Sequence, residues 1–381
     1  MEKTIMTVME EIPDYRKGNG IRHNLADILM IGLLTFICNG NDYAAMYLFA
    51  KRHEELLKGF LALPNGIPSQ DTFERVFQNV NPKYLAVNFK RWVDEIKNTA
   101  RQSDMARMLV GIDGKAIRRS KRAGKKAVHV VSAFASEMRL VLGEVAVDKK
   151  SNEIAAIPDL LEMFCQKGMI ITIDAMGTQK DIVKKIIEKR ADYVLAVKRN
   201  QETLFYDIEV VLNNEVIPLD IEELRKNGQY EKTIENDHGR IETRECFISR
   251  DADWLSTSSE WAGIAGFGVI LSKREVLSQN ATSYSSHYFI FSLKSTNAAD
   301  ILGIKRSHWA IENNLHWLLD VAFKEDESKA TLGNSAETLN ILRKQALQLM
   351  KQELSIKASM RSKRLLCSWD ISYALNVIGV K

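Results

Sequence analysis

The sequence predicts a mixed α/β fold led by an all-helical segment, and three observations predict it. Residues 1 to about 100 carry apolar side chains at helical spacing. After a polar stretch from Asn98 to Asp104, the texture changes to short apolar runs of strand length. Those runs then alternate with amphipathic helical patterns, and a long helical pattern closes the chain.

Each element follows from its residues. Apolar spacing marks helices from Leu25 through Leu34, Tyr43 through Phe60 and Thr72 through Val80. Leu63-Pro64-Asn65-Gly66-Ile67-Pro68-Ser69 is a turn rich in breakers, and Ser69 or Asp71 can cap the helix after it. A helix, a turn and a helix suit either a packing module or a DNA reader exposing Gln70, Thr72, Arg75 and Gln78. Met108–Ile112, Ala127–Ala135 and Leu140–Val147 read as three strands, the last two joined as a hairpin. Ile154–Gln166 is an amphipathic helix that Gly168 stops. Met169–Ile173 is a strand, Gln179–Lys189 a helix and Tyr193–Val197 a strand. This order is that of a ribonuclease-H-like α/β core, in which the first and fourth strands lie side by side. Residues 199–296 then read as a β-rich insertion, with a helix near Thr203–Leu212. Runs around Tyr230–Ile234, Ile241–Ile248, Phe267–Lys273 and Ser286–Ser292 supply its strands. Helical patterns cover Ala298–Leu319 and Ala336 to about Leu354, and a basic tail follows. The expected domains are therefore 1–98, 104–355 with the insertion, and a tail at 356–381.

Composition narrows the classes. With 45% hydrophobic and 27% charged residues, the chain is an ordinary globular one. Cys38, Cys165, Cys246 and Cys367 are far apart and form no CxxC pair, which argues against a structural zinc site or a disulfide framework. The pattern suits a reducing cytoplasm. No signal-peptide layout opens the chain. The longest apolar run, Ile28–Cys38, is well short of the ~20 residues that cross a bilayer. No membrane partner is expected.

The chemistry rests on three carboxylates. Asp113 and Asp174 each end a strand-like apolar run, and Glu312 lies in a helical stretch. If the first and fourth strands are neighbours, the two Asp meet at strand ends, where open α/β sheets place their sites. Mg²⁺ takes hard oxygen ligands and keeps several waters. Two such ions about 4 Å apart stabilise both oxygens of an in-line phosphoryl displacement. Asp113, Asp174 and Glu312 are thus candidate metal ligands, for Mg²⁺ with Mn²⁺ able to substitute. Glu312, His316 and Asp320 recur at four-residue intervals and share one polar stripe, while Ile311, Leu315, Leu318 and Leu319 can face the core. Asp320, Glu325 and Asp326 are alternative third ligands.

Gly111-Ile112-Asp113-Gly114-Lys115, Ile173-Asp174-Ala175 and the run from His308 through Asp326 resemble the three signature blocks of a DDE transposase. The resemblance is to bacterial insertion-sequence enzymes, in particular the H-repeat-associated branch. Leu63 to Ser69 and Asp71-Thr72-Phe73 resemble that branch's N-terminal associated domain. The likeness covers nearly the whole chain. It implies a ribonuclease-H-like fold, metal binding by Asp113, Asp174 and Glu312, and cleavage at transposon ends followed by strand transfer. The wider group often has Arg four residues before the Glu and Lys seven after it; here those positions hold His308 and Leu319.

Basic residues supply candidate DNA contacts. Lys115, Arg118, Arg119, Lys121, Arg122, Lys125 and Lys126 follow Asp113 without an intervening acid. Lys180 follows Asp174, while Lys198, Arg199 and Gln201 follow Val197. Arg240 and Arg244 in the insertion, and His308 and His316 beside Glu312, complete the set. Trp309 and Trp317 flank Glu312, where aromatics can stack on an unpaired base; core packing is the expectation for Trp317. Double-stranded DNA, as element ends and target, is the expected partner. A homodimer on DNA is expected because two ends must be handled together. Localisation would be cytoplasmic, on the nucleoid when DNA is bound. Two other readings stay open: a catalytically inactive DNA-binding derivative, and a ribonuclease-H-like nuclease without strand transfer.

Overall fold

The protein's computed structural model describes residues 4–18, 21–99, 107–121, 127–147, 153–237 and 239–380. One large mixed sheet runs β3-β2-β1-β4-β5-β9-β8-β7-β6. Its strands are β1 (Leu109–Ala116), β2 (His129–Ala135), β3 (Leu140–Val147), β4 (Ile170–Ile173) and β5 (Asp192–Val197), then β6 (Tyr230–Asp237), β7 (Arg240–Ser249), β8 (Gly266–Val276) and β9 (Ala281–Phe291). β1, β4 and β5 are parallel neighbours, and β9 joins β5 antiparallel. Ile170 to Ile173 are all buried, as expected of a parallel strand covered on both faces. The β-rich stretch expected as an insertion therefore extends the same sheet.

The chain divides into two compact units that cut across the expected domains. One comprises residues 1–101, 114–153 and 312–381, and the other 102–113 and 154–311. In the first, the Leu25–Ile37 helix is buried on nearly every side. The Ser335–Gln352 helix packs on it, and also on the Gln70–Asn79 and Pro82–Thr99 helices and on β3. Burial of the Leu and Ile side chains of such a helix stabilises by about 1.5–3 kcal/mol each. Polar ends are answered locally: the Ser69 hydroxyl accepts from Thr72 N at 3.3 Å, and Asp27 accepts from Leu63 N at 2.9 Å. Gln70 and Arg75 are exposed, whereas Thr72 and Gln78 are half-buried. Gln78 donates to Glu74, and its carbonyl accepts from Asn334 N at 2.8 Å.

Where the sequence reads as a basic tail, two helices form, Met360–Trp369 and Ile371–Val377. The reason is Arg364. Its guanidinium is fully buried and donates to the carbonyls of Phe36, Ala322 and Gly40. A buried cation so satisfied is part of the fold rather than a solvated charge.

In the second unit, the Ala298–Ile311 helix lies on one face of the sheet. Beneath it is a core of Ile170, Val194, Cys246, Ile248, Ile270, Phe289 and Phe291, met by Ile301, Leu302 and Ile304 of the helix. The continuous helix expected to Leu319 is interrupted by a π-helical turn, Glu312–His316, before Trp317–Val321 resumes α geometry.

Candidate active site

Register positions the two aspartates. β1 pairs with β4 in parallel, Gly111 opposite Thr172 and Ile112 opposite Ile173. Asp113 and Asp174 are the next step of that ladder, so they stand side by side on adjacent strands about 4.8 Å apart. Side chains two residues apart share a face. Gly111 and Thr172 face the Ala298–Ile311 helix: a Cβ on Gly111 would lie 3.5 Å from Ile311, and the Thr172 hydroxyl is 2.9 Å from His308 Nδ1. Asp113 and Asp174 continue that parity onto the same face.

Local structure presents Asp174 outward. It is exposed, and one oxygen accepts from Gly177 N at 3.1 Å, closing a tight turn after β4. A Cβ at Gly177 would come within 2.3 Å of Ile173, so the turn needs glycine there. Asp113 is half-buried. Glu312 is exposed on the π-helical turn, and its Oε2 is 3.2 Å from Nδ1 of buried His316. π-helical turns recur at functional sites.

His308 is held neutral. Burial pushes its imidazole down to about 4, Lys305 adds to this, and Asp113 and Asp174 oppose it. Lys305, which no sequence pattern marks, sits one helical turn earlier. Burial and Lys198 push its ammonium down to about 8, with Asp174 opposing.

The other expected contacts divide sharply. Lys115 does not face outward: it bonds Asp320 at 2.6 Å and buried Glu325 at 2.5 Å. Burial alone would lower its ammonium, but Glu325 and Asp320 outweigh that and hold it above the usual lysine value. The alternative third ligands Asp320, Glu325 and Asp326 are thereby engaged, the last also 3.3 Å from Arg118. Arg118, Arg119 and Lys121 are exposed, Arg119 donating to the Glu327 carbonyl. Arg122, Lys125 and Lys126 lie outside the described residues. Lys180 is exposed and paired with Glu260, and Gln201 donates to the Thr178 carbonyl. Lys198 and Arg199 are exposed beyond β5. Arg240 pairs with Glu242, and Arg244 with Glu235 and Glu242. Trp309 and Trp317 are 58% and 53% exposed, which corrects the expectation that Trp317 is a core residue. Sequence patterns also leave Glu153 unmarked, although its carboxylate fills the space a Gly114 side chain would take and meets His129 at 3.1 Å.

Neighbouring strand-end carboxylates on one face of a mixed sheet, Asp113 and Asp174, define an acid-rich site of a kind able to take a divalent cation. Family comparison specifies the class: residues 104–349 match the transposase DDE domain, and residues 6–93 match the DDE_Tnp_1-associated domain. The chain belongs to the DDE transposase family. It is 35% identical to "Putative transposase YncI" of Escherichia coli O157:H7, over 99% of this chain and 95% of that one. It is 34% identical to "H repeat-associated putative transposase YhhI" of Escherichia coli K12, over 99% and 98%. "Inactive transposase YbfQ" of the same strain is 32% identical over 19% of this chain. Among solved structures, a piggyBac transposase synaptic complex with hairpin DNA aligns with a TM-score of 0.41 and 9% identity, covering 97% of this chain and 76% of that one.

Proposed function

We propose that this chain is a metal-dependent DNA transposase with a ribonuclease-H-like core, which cuts the ends of its insertion sequence and joins them to target DNA. The observation that carries this reading is the register pairing of β1 with β4, which makes Asp113 and Asp174 neighbours on one face. Family membership, shown by the match over residues 104–349, supports it.

The donor set suits a hard divalent cation such as Mg²⁺ or Mn²⁺. Asp174 and Glu312 offer exposed carboxylates and Asp113 a half-buried one. Asp113, Asp174 and Glu312 would hold the ions, with His316 orienting Glu312. When bound, a pair of cations neutralises charge on both the attacking and the leaving oxygen of an in-line displacement. Basic side chains beside the carboxylates would fix the scissile phosphate in line with its nucleophile, and placement of that kind supplies much of the rate. Water cleaves the phosphodiester, leaving a 3′-hydroxyl and a 5′-phosphate. The 3′-hydroxyl then attacks a target phosphodiester, displacing the target's own 3′-oxygen and passing its proton to solvent. Lys198, Arg199 and the exposed Arg118, Arg119 and Lys121 meet the DNA backbone, and two chains act on two ends. No helix among the described residues is long and apolar enough to cross a membrane.

The test is Asp174→Asn with Mg²⁺ and a duplex ending in the sequence that borders the gene. Cleavage should fall at least ~10²–10³-fold while binding persists. Binding without cleavage by the unsubstituted chain would overturn the reading in favour of an inactive derivative. Cleavage without end joining would reduce it to a nuclease.

A further inference from the structure

Strand parity places more than the carboxylates on the helix-covered face of the sheet in the second unit. Val194 belongs to the core under the Ala298–Ile311 helix, as do Phe289 and Phe291. Ala196 and Lys198 continue the parity of Val194, and Lys198 keeps an extended backbone. His287 continues the parity of Phe289, and the β5–β9 register puts it opposite Lys198. On the helix, Ile301, Lys305 and His308 fall on one stripe, with Ile301 in the core and His308 against Thr172. Lys198, Lys305 and His287 therefore gather on the face that carries Asp174, toward the ends of β4 and β5.

The electrostatics of these groups agree with their placement. Burial lowers His287, and Lys305 and Lys198 lower it further. Among the described residues, neither the Lys198 nor the Lys305 ammonium has an ion-pair partner. Nearby cations differ. Arg306, the next residue on the helix, pairs with Glu235 at 2.5 Å, and Arg244 pairs with Glu235 at 2.8 Å. Lys198 and Lys305 repel one another, Asp174 opposes this only in part, and a bound anion removes the remaining cost. A lysine acts as a point charge that suits phosphate without demanding a planar partner.

We infer that Lys305 joins Lys198 in a clamp for a backbone phosphate of DNA beside Asp174. This rests on the proposed function for the identity of the anion, a phosphodiester next to the one cut. Lys305 is a binding and positioning residue rather than a catalytic one. Its helix neighbours Ile301, Leu302 and Ile304 are in the core, which anchors the backbone that carries it.

The full chain is tested as Lys305→Met, Lys305→Arg and Lys198→Met. The probe is a duplex ending in the sequence that borders the gene, without divalent cation, and affinity is measured from 50 to 300 mM KCl. Losing one phosphate contact should reduce the slope of log K against log salt by about 1 and weaken binding ~5-fold at 0.15 M salt. Lys305→Met should lose slope while Lys305→Arg keeps it, a pair of outcomes that a merely structural role would not give. If Lys305→Met fails to fold, Lys305→Arg and exposed Lys198→Met decide. An unchanged slope in Lys198→Met, or a slope lost in folded Lys305→Arg, overturns the clamp. An unsubstituted chain that cuts in Mg²⁺, beside a folded Lys305→Met of unchanged slope, overturns the clamp and leaves the transposase reading standing. The converse, binding with the expected slope change but no cutting, leaves the clamp and removes the transposase reading. Absence of DNA binding by the unsubstituted chain overturns both.

Discussion

Lys115 touches Asp320 and Glu325 in one unit, whereas Lys198 and Lys305 on the helix-covered face of the other have no ion-pair partner among the described residues. Around Lys115 the charges close on themselves. Glu325 also accepts from Asn340 at 2.6 Å, and Lys344 binds Ser132 and Glu144. Burial would raise Glu325, but Lys115, Arg343 and Asn340 hold it below the usual carboxylate range. Such a network serves the fold, because a buried charge without its partner is strongly destabilising. On the face near Asp174, Lys198 and Lys305 have no ion-pair partner among the described residues. The lesson is that position in the sequence does not sort these roles: Lys115 directly follows the Asp113 motif and is structural, while unmarked Lys305 faces the site.

The largest expected effect breaks the closed network. Glu325→Gln should lower unfolding free energy in urea by about 3–5 kcal/mol. Asp174→Asn in the same measurement should cost less than ~1 kcal/mol. Equal losses would erase the distinction between the two regions.

A smaller effect sharpens it through pH. Burial would raise the Glu353 carboxyl, but bonds from Ser355, Tyr373 and Lys363 outweigh it and hold it at about 2. An unfolded Glu titrates near ~4.3. Its contribution is therefore complete above that value and is lost as pH falls toward 2. Unfolding midpoints from pH 5 to 2 should decline less steeply in Glu353→Gln, and parallel curves would refute the assignment.

The smallest effect belongs to a solvated pair. Lys180 and Glu260 are each about half exposed. Lys180→Ala should change stability by no more than ~0.5 kcal/mol, with the difference vanishing in 1 M salt. A loss as large as that of Glu325→Gln would show that exposure does not separate the two kinds of charge.

Much of the fold is legible in the residues. β3 runs from Leu140 to Val147 as its apolar run predicts, and β1 and β4 are the expected neighbours. Buried central strands announce themselves as uninterrupted apolar runs. The three carboxylates are equally visible, since each ends such a run or sits in a helical one. What escapes notice depends on partners distant in the chain. The acids that claim Lys115 lie 205 and 210 residues away. The carbonyls that bury Arg364 come from Phe36, Gly40 and Ala322, so a helix there reads as a basic tail. Lys305 looks like any helical lysine until the β5–β9 register is known. No local pattern announces the π-helical turn at Glu312, nor the outward rotation of Trp317.

The seam between β5 and β9 has one more consequence. The chain leaves β5 after Val197 and comes back beside it as β9, Val197 opposite Tyr288. Asp174 is meanwhile held by β4, which hydrogen-bonds only to β1 and β5. The 83 residues from 198 to 280 thus form a detour whose entrance and exit are stitched together. Evolution can lengthen, shorten or redecorate the far loops of that detour, for instance at the Leu277–Gln279 tip, without moving the aspartate ladder. Variation in the detour and constancy in the aspartate ladder can therefore coexist in one polypeptide.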